Sequence, residues 1–161
     1  MQIHNVDLHY HAGQERQAGL SLKDYLDYAQ RTGRKIIGIA DHYHLFFLHK
    51  PLERKFLYEP SLTGFLEFRK DVSAQKSLFP ELLILFAPEI HPRENFETIP
   101  QALIEVSDYF ICEPAHGEGK TKNTENMIKR LKEMAVFMER TGKPVFLAHP
   151  FPLKTREFSL P

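Results

Sequence analysis

The chain is nearly free of cysteine, since Cys112 is the only one among 161 residues. One thiol cannot build an internal disulfide framework, and it cannot supply the several thiolates of a zinc knuckle. A protein without disulfides is typical of the reducing cytoplasm, so we expect a cytoplasmic location. A metal site in this chain would have to use nitrogen and oxygen ligands.

The chain also lacks an excess of either charge and any long apolar run. Acidic and basic residues number 21 each, so no overall field favours nucleic acid or an anionic membrane. The amino-terminal stretch MQIHNVDLH is unlike a secretory signal, and no apolar run approaches the ~18 residues of a membrane span. We expect no membrane partner and no strong nucleic-acid partner, although local Lys and Arg side chains could hold a small anionic substrate.

The chain has the length and the 42% hydrophobic content for one domain over residues 1–161 with a real core. Short apolar segments, which we predict to be strands, alternate with longer segments of helical period. The predicted strands are 3–9, 35–42, 83–89, 109–112 and 144–150, and the predicted helices are 21–31, 62–76 and 123–141. Gly33 and Gly142 follow two of these helices as expected C-terminal caps. The alternation predicts an α/β barrel-type chain.

Metal-binding residue types lie at or just after the ends of the predicted strands. They are His9, His11, His42, Glu89, His116 and His149. A strand period of two puts His9 and His11 on one side of their strand, and parallel strands deliver their carboxyl ends to one face. Imidazole and carboxylate ligands favour Zn²⁺, Mn²⁺ or Fe²⁺, and a bridging carboxylate favours more than one ion.

Each of these residues also has an ordinary structural interpretation. His42 alone would more often be a loop or capping residue, Glu89 a salt-bridge partner, and His116 a surface residue of a polar turn. His149, followed by Pro150, could simply end a strand. The repeated placement at strand ends favours a shared metal site. The apolar connection 43–59 is a candidate lid, a packing flap or the interface of an oligomer.

Five short motifs are similar to those of a known family. They are DLHYH at 7–11, IADH at 39–42, PEIH at 88–91, PAHG around His116 and LAHP at 147–150. In this order the motifs resemble the PHP (polymerase and histidinol phosphatase) domain of metal-dependent phosphoesterases, over residues 7–150. The resemblance implies a PHP-type distorted, seven-stranded TIM-like (β/α) barrel that holds two or three divalent ions, namely Zn, Mn or Fe.

The resemblance also implies roles for individual residues. His9, His11 and Glu89 would ligate one ion, and Glu89 would bridge to a second ion that His116 and His149 hold. His42 would hold a third ion, and Asp41 would orient an imidazole from the second shell. In the segment AGQERQ, Glu15 is a candidate metal ligand where family members place a further histidine. A metal-bound water near Glu89 would be the attacking group, so no side-chain nucleophile is expected.

One family motif has no counterpart here, because no Asp-x-His sequence follows His149. Five strands also do not close a seven-stranded barrel. We expect this chain to lack the last strands; the alternatives are that a partner chain supplies them or that the domain closes differently. The predicted function is hydrolysis of a small phosphorylated metabolite, in the manner of a histidinol phosphatase. The alternatives are a TatD-like or amidohydrolase-type metal hydrolase, and a catalytically degenerate PHP-like interaction module.

Overall fold

The computed structural model describes residues 5–11, 21–43, 62–92, 94–114 and 120–148. The strands are β1 Val6–His11, β2 Ile36–His42, β3 Leu83–Ile90, β4 Phe110–Cys112 and β5 Val145–Leu147. The helices are α1 Leu22–Arg31, α2 Leu62–Leu78, α3 Gln101–Val106 and α4 Lys120–Thr141, with a short 3₁₀ helix at Phe96–Thr98.

The five strands form one parallel sheet in the order β1-β2-β3-β4-β5, which curls as part of a barrel. Every neighbouring pair is parallel, so all carboxyl ends reach the same edge of the sheet. The predicted α/β class is confirmed in this form, as a five-stranded partial α/β barrel.

The two faces of the sheet carry side chains of different size. On the helix-covered face, Ile37, Ile39 and Phe86 are fully buried against Phe65 and Phe68 of α2, whose rings meet Phe86 edge to face. Burial of each such side chain stabilises the fold by roughly 1.5–3 kcal/mol. The opposite, concave face holds a smaller cluster: Ala40, Ala87, Tyr109, Ile111 and Ala148. Strand alternation separates the two sets.

Local sequence signals explain where helices begin and end. Ser21 caps α1, because its hydroxyl accepts from the Asp24 amide while the Asp24 carboxylate accepts from the Ser21 amide. Gly33 and Gly142 have φ of 76° and 68°, the left-handed conformation that glycine adopts without strain. Both predicted caps are therefore confirmed, and each turns the chain towards a buried strand.

Several element bounds differ from the predicted ones. β1 continues to His11 instead of ending at His9, α2 continues to Leu78, and α4 begins at Lys120. Sequence periodicity gave no range for α3, because six residues are too few to show a helical repeat. Among the described residues no helix combines the length and the apolar character that a membrane crossing needs. The proposed lid 43–59 lies, beyond Tyr43, outside the described residues.

Candidate metal centre

Three imidazoles converge on a single carboxylate oxygen at the carboxyl edge of the sheet. The Oε2 atom of Glu89 lies 3.0 Å from His9 Nε2, 3.1 Å from His11 Nε2 and 3.3 Å from His42 Nδ1. The two Nε2 atoms of His9 and His11 are themselves 3.0 Å apart. The structure therefore brings together four of the six residues that the sequence predicts as ligands.

Strand pairing explains why these side chains meet. His42 and Glu89 are direct partners in the β2–β3 register, and His11 pairs with Ala40 of β2. The rings of His11 and His42 stack with centroids 4.6 Å apart. Since β1, β2 and β3 are neighbours, residues at their carboxyl ends meet without any long loop.

A second carboxylate that the sequence analysis did not select belongs to the same cluster. Glu113 follows β4 directly, and its Oε1 lies 3.2 Å from His42 Nδ1. His42, Glu89 and Glu113 thus form a second group of close ligand atoms beside His9, His11 and Glu89. The strand-end rule itself would have found Glu113, because it is the first residue after the strand segment YFIC.

The remaining predicted residues have different outcomes. Asp41 is fully buried, and its Oδ1 lies 3.9 Å from His11 Nδ1, beside an imidazole as predicted but beyond hydrogen-bond distance. The same Oδ1 accepts from the backbone amide of His42 at 2.9 Å. His116, His149 and the candidate Glu15 lie outside the described residues.

The cluster shifts the pKa values of its own members. Burial lowers the pKa of His11, but Asp41 and Glu89 act more strongly together and raise it to about 9. Burial raises the pKa of Glu89, yet His11 and His9 bring it well below its usual range. Burial also raises the pKa of Glu113, and the contact with His42 lowers it overall. The neighbouring imidazoles therefore favour the ionised form of both carboxylates, which is the form that binds metal ions.

The donor set fits divalent metal ions. Zn²⁺ bonds of ~2.0–2.1 Å in a tetrahedral site place ligand atoms about 3.3 Å apart, close to the separations around Glu89 Oε2. The other carboxylate oxygen, Glu89 Oε1, is buried and has no hydrogen-bond partner among the described residues. An ion would satisfy this atom, and Glu89 is placed to bridge two ions.

Comparisons of the chain with protein families, curated proteins and solved structures find no match. The PHP resemblance accordingly stays a prediction from the five motifs.

Proposed function

We propose that this chain is a metal-dependent phosphoesterase of PHP type, which hydrolyses a small phosphorylated metabolite. The observation that carries the proposal is the approach of three imidazole nitrogens to within 3.3 Å of Glu89 Oε2. In α/β barrels the active site lies at the carboxyl ends of the strands, which is where these residues lie.

The cluster has a buried floor and a more open rim. The side chains of Glu89 and His11 are 0% and 6% exposed, whereas those of His9, His42 and Glu113 are 25%, 18% and 23% exposed. A substrate would therefore approach the rim. Glu89 and His11 would bind the ions from the buried side of the cluster.

The residues would hold two or three ions of Zn, Mn or Fe in this proposal. Bound ions of this kind lower the pKa of water to about 7 and neutralise charge on a phosphoryl group. Glu89 would act as the bridging carboxylate, and the buried Asp41, 3.9 Å from His11 Nδ1, would act on that imidazole electrostatically. Glu113, on the rim beside His42, would serve as a further ligand or as a proton acceptor.

No side chain is placed to act as a covalent nucleophile at this cluster among the described residues. Cys112, the one cysteine, packs into the helix-covered core instead. Attack by water is consistent with that placement. The balanced charge of the chain favours a small phosphate ester over nucleic acid as substrate.

The proposal is tested on the purified chain by metal analysis together with hydrolysis of p-nitrophenyl phosphate in added Zn²⁺, Mn²⁺ or Fe²⁺. Glu89→Gln should lower both metal affinity and rate by roughly 10- to 100-fold, because a neutral amide bridges ions poorly. Glu81→Gln is the matched control, since Glu81 is exposed and precedes the amino end of the same strand.

Three results would change the assignment. Wild-type affinity and rate in Glu89→Gln would contradict the proposal. Lost hydrolysis with full metal content would make Glu89 an acid or base group instead of a ligand. Bound metal in the wild-type chain with no hydrolysis of any phosphate ester would favour the interaction module.

A further inference from the structure

The backbone of β1 is irregular immediately before the first metal-ligand candidate. Asp7 pairs with Ile37 of β2 and Tyr10 pairs with Ile39, so two residues, Leu8 and His9, oppose Gly38 alone. Such a β-bulge changes which way consecutive side chains point.

Because of the bulge, the side chains of two consecutive residues lie on the concave face. Leu8 packs against the small concave cluster, and His9 contacts His11 and Glu89 at the metal centre. Tyr10 packs instead into the helix-covered core. Regular alternation with Tyr10 and His11 places His9 on the concave face, and the bulge adds Leu8 to the same face. The bulge therefore sets the position of the His9 backbone relative to β2.

A residue just before β4 binds one side of the bulge. The hydroxyl of Tyr109 donates a hydrogen bond to the carbonyl oxygen of Leu8. Tyr109 is 2% exposed, and its ring meets Phe146 edge to face. The bond crosses the sheet at Gly38, where a Cβ atom would lie 2.7 Å from the Leu8 oxygen and would collide with the Tyr109 hydroxyl. The glycine leaves space for this bond.

The other side of the bulge is held from α1. The Oδ1 atom of Asp7 accepts from the backbone amide of His9 at 3.3 Å. Its Oδ2 atom accepts from the hydroxyl of Tyr25 at 2.5 Å, and Arg34 Nε lies 3.9 Å away. Side chains therefore bind one backbone group of each bulge residue, namely the carbonyl oxygen of Leu8 and the amide of His9. In a regular strand a neighbouring strand would bind such groups.

We propose that Tyr109, Asp7 and Tyr25 are positioning residues that hold the β1 bulge and, through it, the backbone position from which His9 reaches Glu89. This inference rests on the proposed metal function. Metal ligands must be held within about 0.5 Å of their working positions, and the groups that orient them contribute to affinity. A purely structural role would change stability and leave the metal affinity of the folded protein unchanged.

The experiment compares three Tyr→Phe variants of the full chain. Tyr109→Phe removes the hydroxyl that binds the Leu8 carbonyl, and Tyr25→Phe removes the hydroxyl that binds Asp7. Both variants keep the aromatic ring. Tyr10→Phe, within β1 itself, is the matched control, because the Tyr10 hydroxyl is buried and has no hydrogen-bond partner among the described residues. Zn²⁺ affinity is measured by chelator competition, and the visible spectrum of bound Co²⁺ reports ligand geometry.

Tyr109→Phe and Tyr25→Phe are expected to lower Zn²⁺ affinity by roughly 10- to 100-fold and to change the Co²⁺ spectrum. Tyr10→Phe should keep both at wild-type values. Asp7→Asn, which retains an acceptor for the His9 amide, should keep more affinity than Asp7→Ala. Wild-type affinity and spectrum in Tyr109→Phe and Tyr25→Phe, or an equal loss in Tyr10→Phe, would overturn the proposal.

Hydrogen exchange of the His9 amide gives a readout that needs no metal. Exchange should accelerate in Tyr25→Phe and Tyr109→Phe and stay unchanged in Tyr10→Phe, and unchanged exchange in all three overturns the inference. If the wild-type chain binds no metal, the proposed function fails while this measurement still tests the bulge. If Tyr109→Phe does not fold, Tyr25→Phe and the Asp7 pair test it.

Discussion

Cys112 lies one residue before the rim carboxylate of the candidate centre, yet its surroundings keep the thiol inert. Arg130 Nε donates to its Sγ at 3.0 Å, inside the helix-covered core. Burial raises the pKa of Cys112 to about 11, and the Arg130 guanidinium opposes this only in part. The thiolate, which is the reactive form, is therefore scarce at neutral pH.

We expect Cys112 in the native protein to react with a disulfide reagent at pH 8 far more slowly than free cysteine, and to react rapidly after denaturation in urea. The thiolate fraction should rise only as the pH approaches 11, since a raised pKa keeps the thiol neutral below that value. The chain has no other cysteine, so the signal belongs to this residue. Fast native reaction that added Zn²⁺ suppresses would contradict the expectation and place the thiolate in the metal centre.

At this scale the sequence predicted four of the clustered residues, His9, His11, His42 and Glu89, because strand ends are readable from apolar runs. Glu113 was missed because His116, a stronger ligand type, follows it by three residues. The strand period predicted that His9 shares a side with His11, but the bulge before His9 was beyond prediction. One of its bonds comes from Tyr109, over a hundred positions away in the chain.

Helix α4 is attached to the loops of the site through one buried cation. Arg130 is 2% exposed, and its guanidinium donates to the carbonyl oxygens of His91 and Glu94 and to the carboxylate of Glu133. It also lies over the ring of Phe96, 4.5 Å from the centroid. The segment that leaves β3 just after Glu89 is thereby fixed to α4.

Arg130→Met should lower the free energy of unfolding by roughly 1–3 kcal/mol, because the half-buried carbonyl groups of His91 and Glu94 lose their donor. Lys129→Met on the preceding position is the control, since Lys129 is exposed and its contact with Glu133 is a surface pair worth about 0.3–0.5 kcal/mol. Urea unfolding of both variants gives the comparison. Equal effects of the two substitutions would show that Arg130 does not anchor the loop.

Elements with strong local signals were predicted best. The capping box of α1 and the glycines after α1 and α4 fixed helix ends closely, and the near-continuous apolar run of β2 identified a strand buried on both faces. α3 and the 3₁₀ helix are each too short to show a helical period, and the side chain of Asn95 caps only the start of the 3₁₀ helix. Tertiary packing decides their form.

For the whole molecule, the sequence predicted the parallel α/β arrangement because helices alternate with apolar strands, and parallel pairing then follows from the crossover connections. The number of strands that close a barrel is a global property, which local periodicity does not encode. The described sheet is a partial α/β barrel, and the finer PHP-type assignment stays a proposal from the motifs.

The candidate ligands also connect separate parts of the fold. His9 and His11 belong to β1, His42 to β2, Glu89 to β3, and Glu113 follows β4. An ion bound by these groups would join four strands that otherwise depend on backbone pairing and core packing. Because the unfolded chain does not preserve this arrangement, binding to the native state adds directly to stability.

Removal of metal should therefore lower the thermal stability of the whole molecule. At a free metal concentration 100 times Kd the gain is about 2.7 kcal/mol, which for a chain of this size is a difference of roughly 5–10 °C in Tm. The measurement is thermal unfolding after dialysis against a chelator, with and without Zn²⁺ or Mn²⁺ added back. Glu89→Gln should lose most of the metal-dependent shift, whereas Glu81→Gln should retain it. A shift of equal size in both variants would mean that the stabilising ion binds elsewhere, since only the first substitution alters the carboxylate at the centre of the cluster.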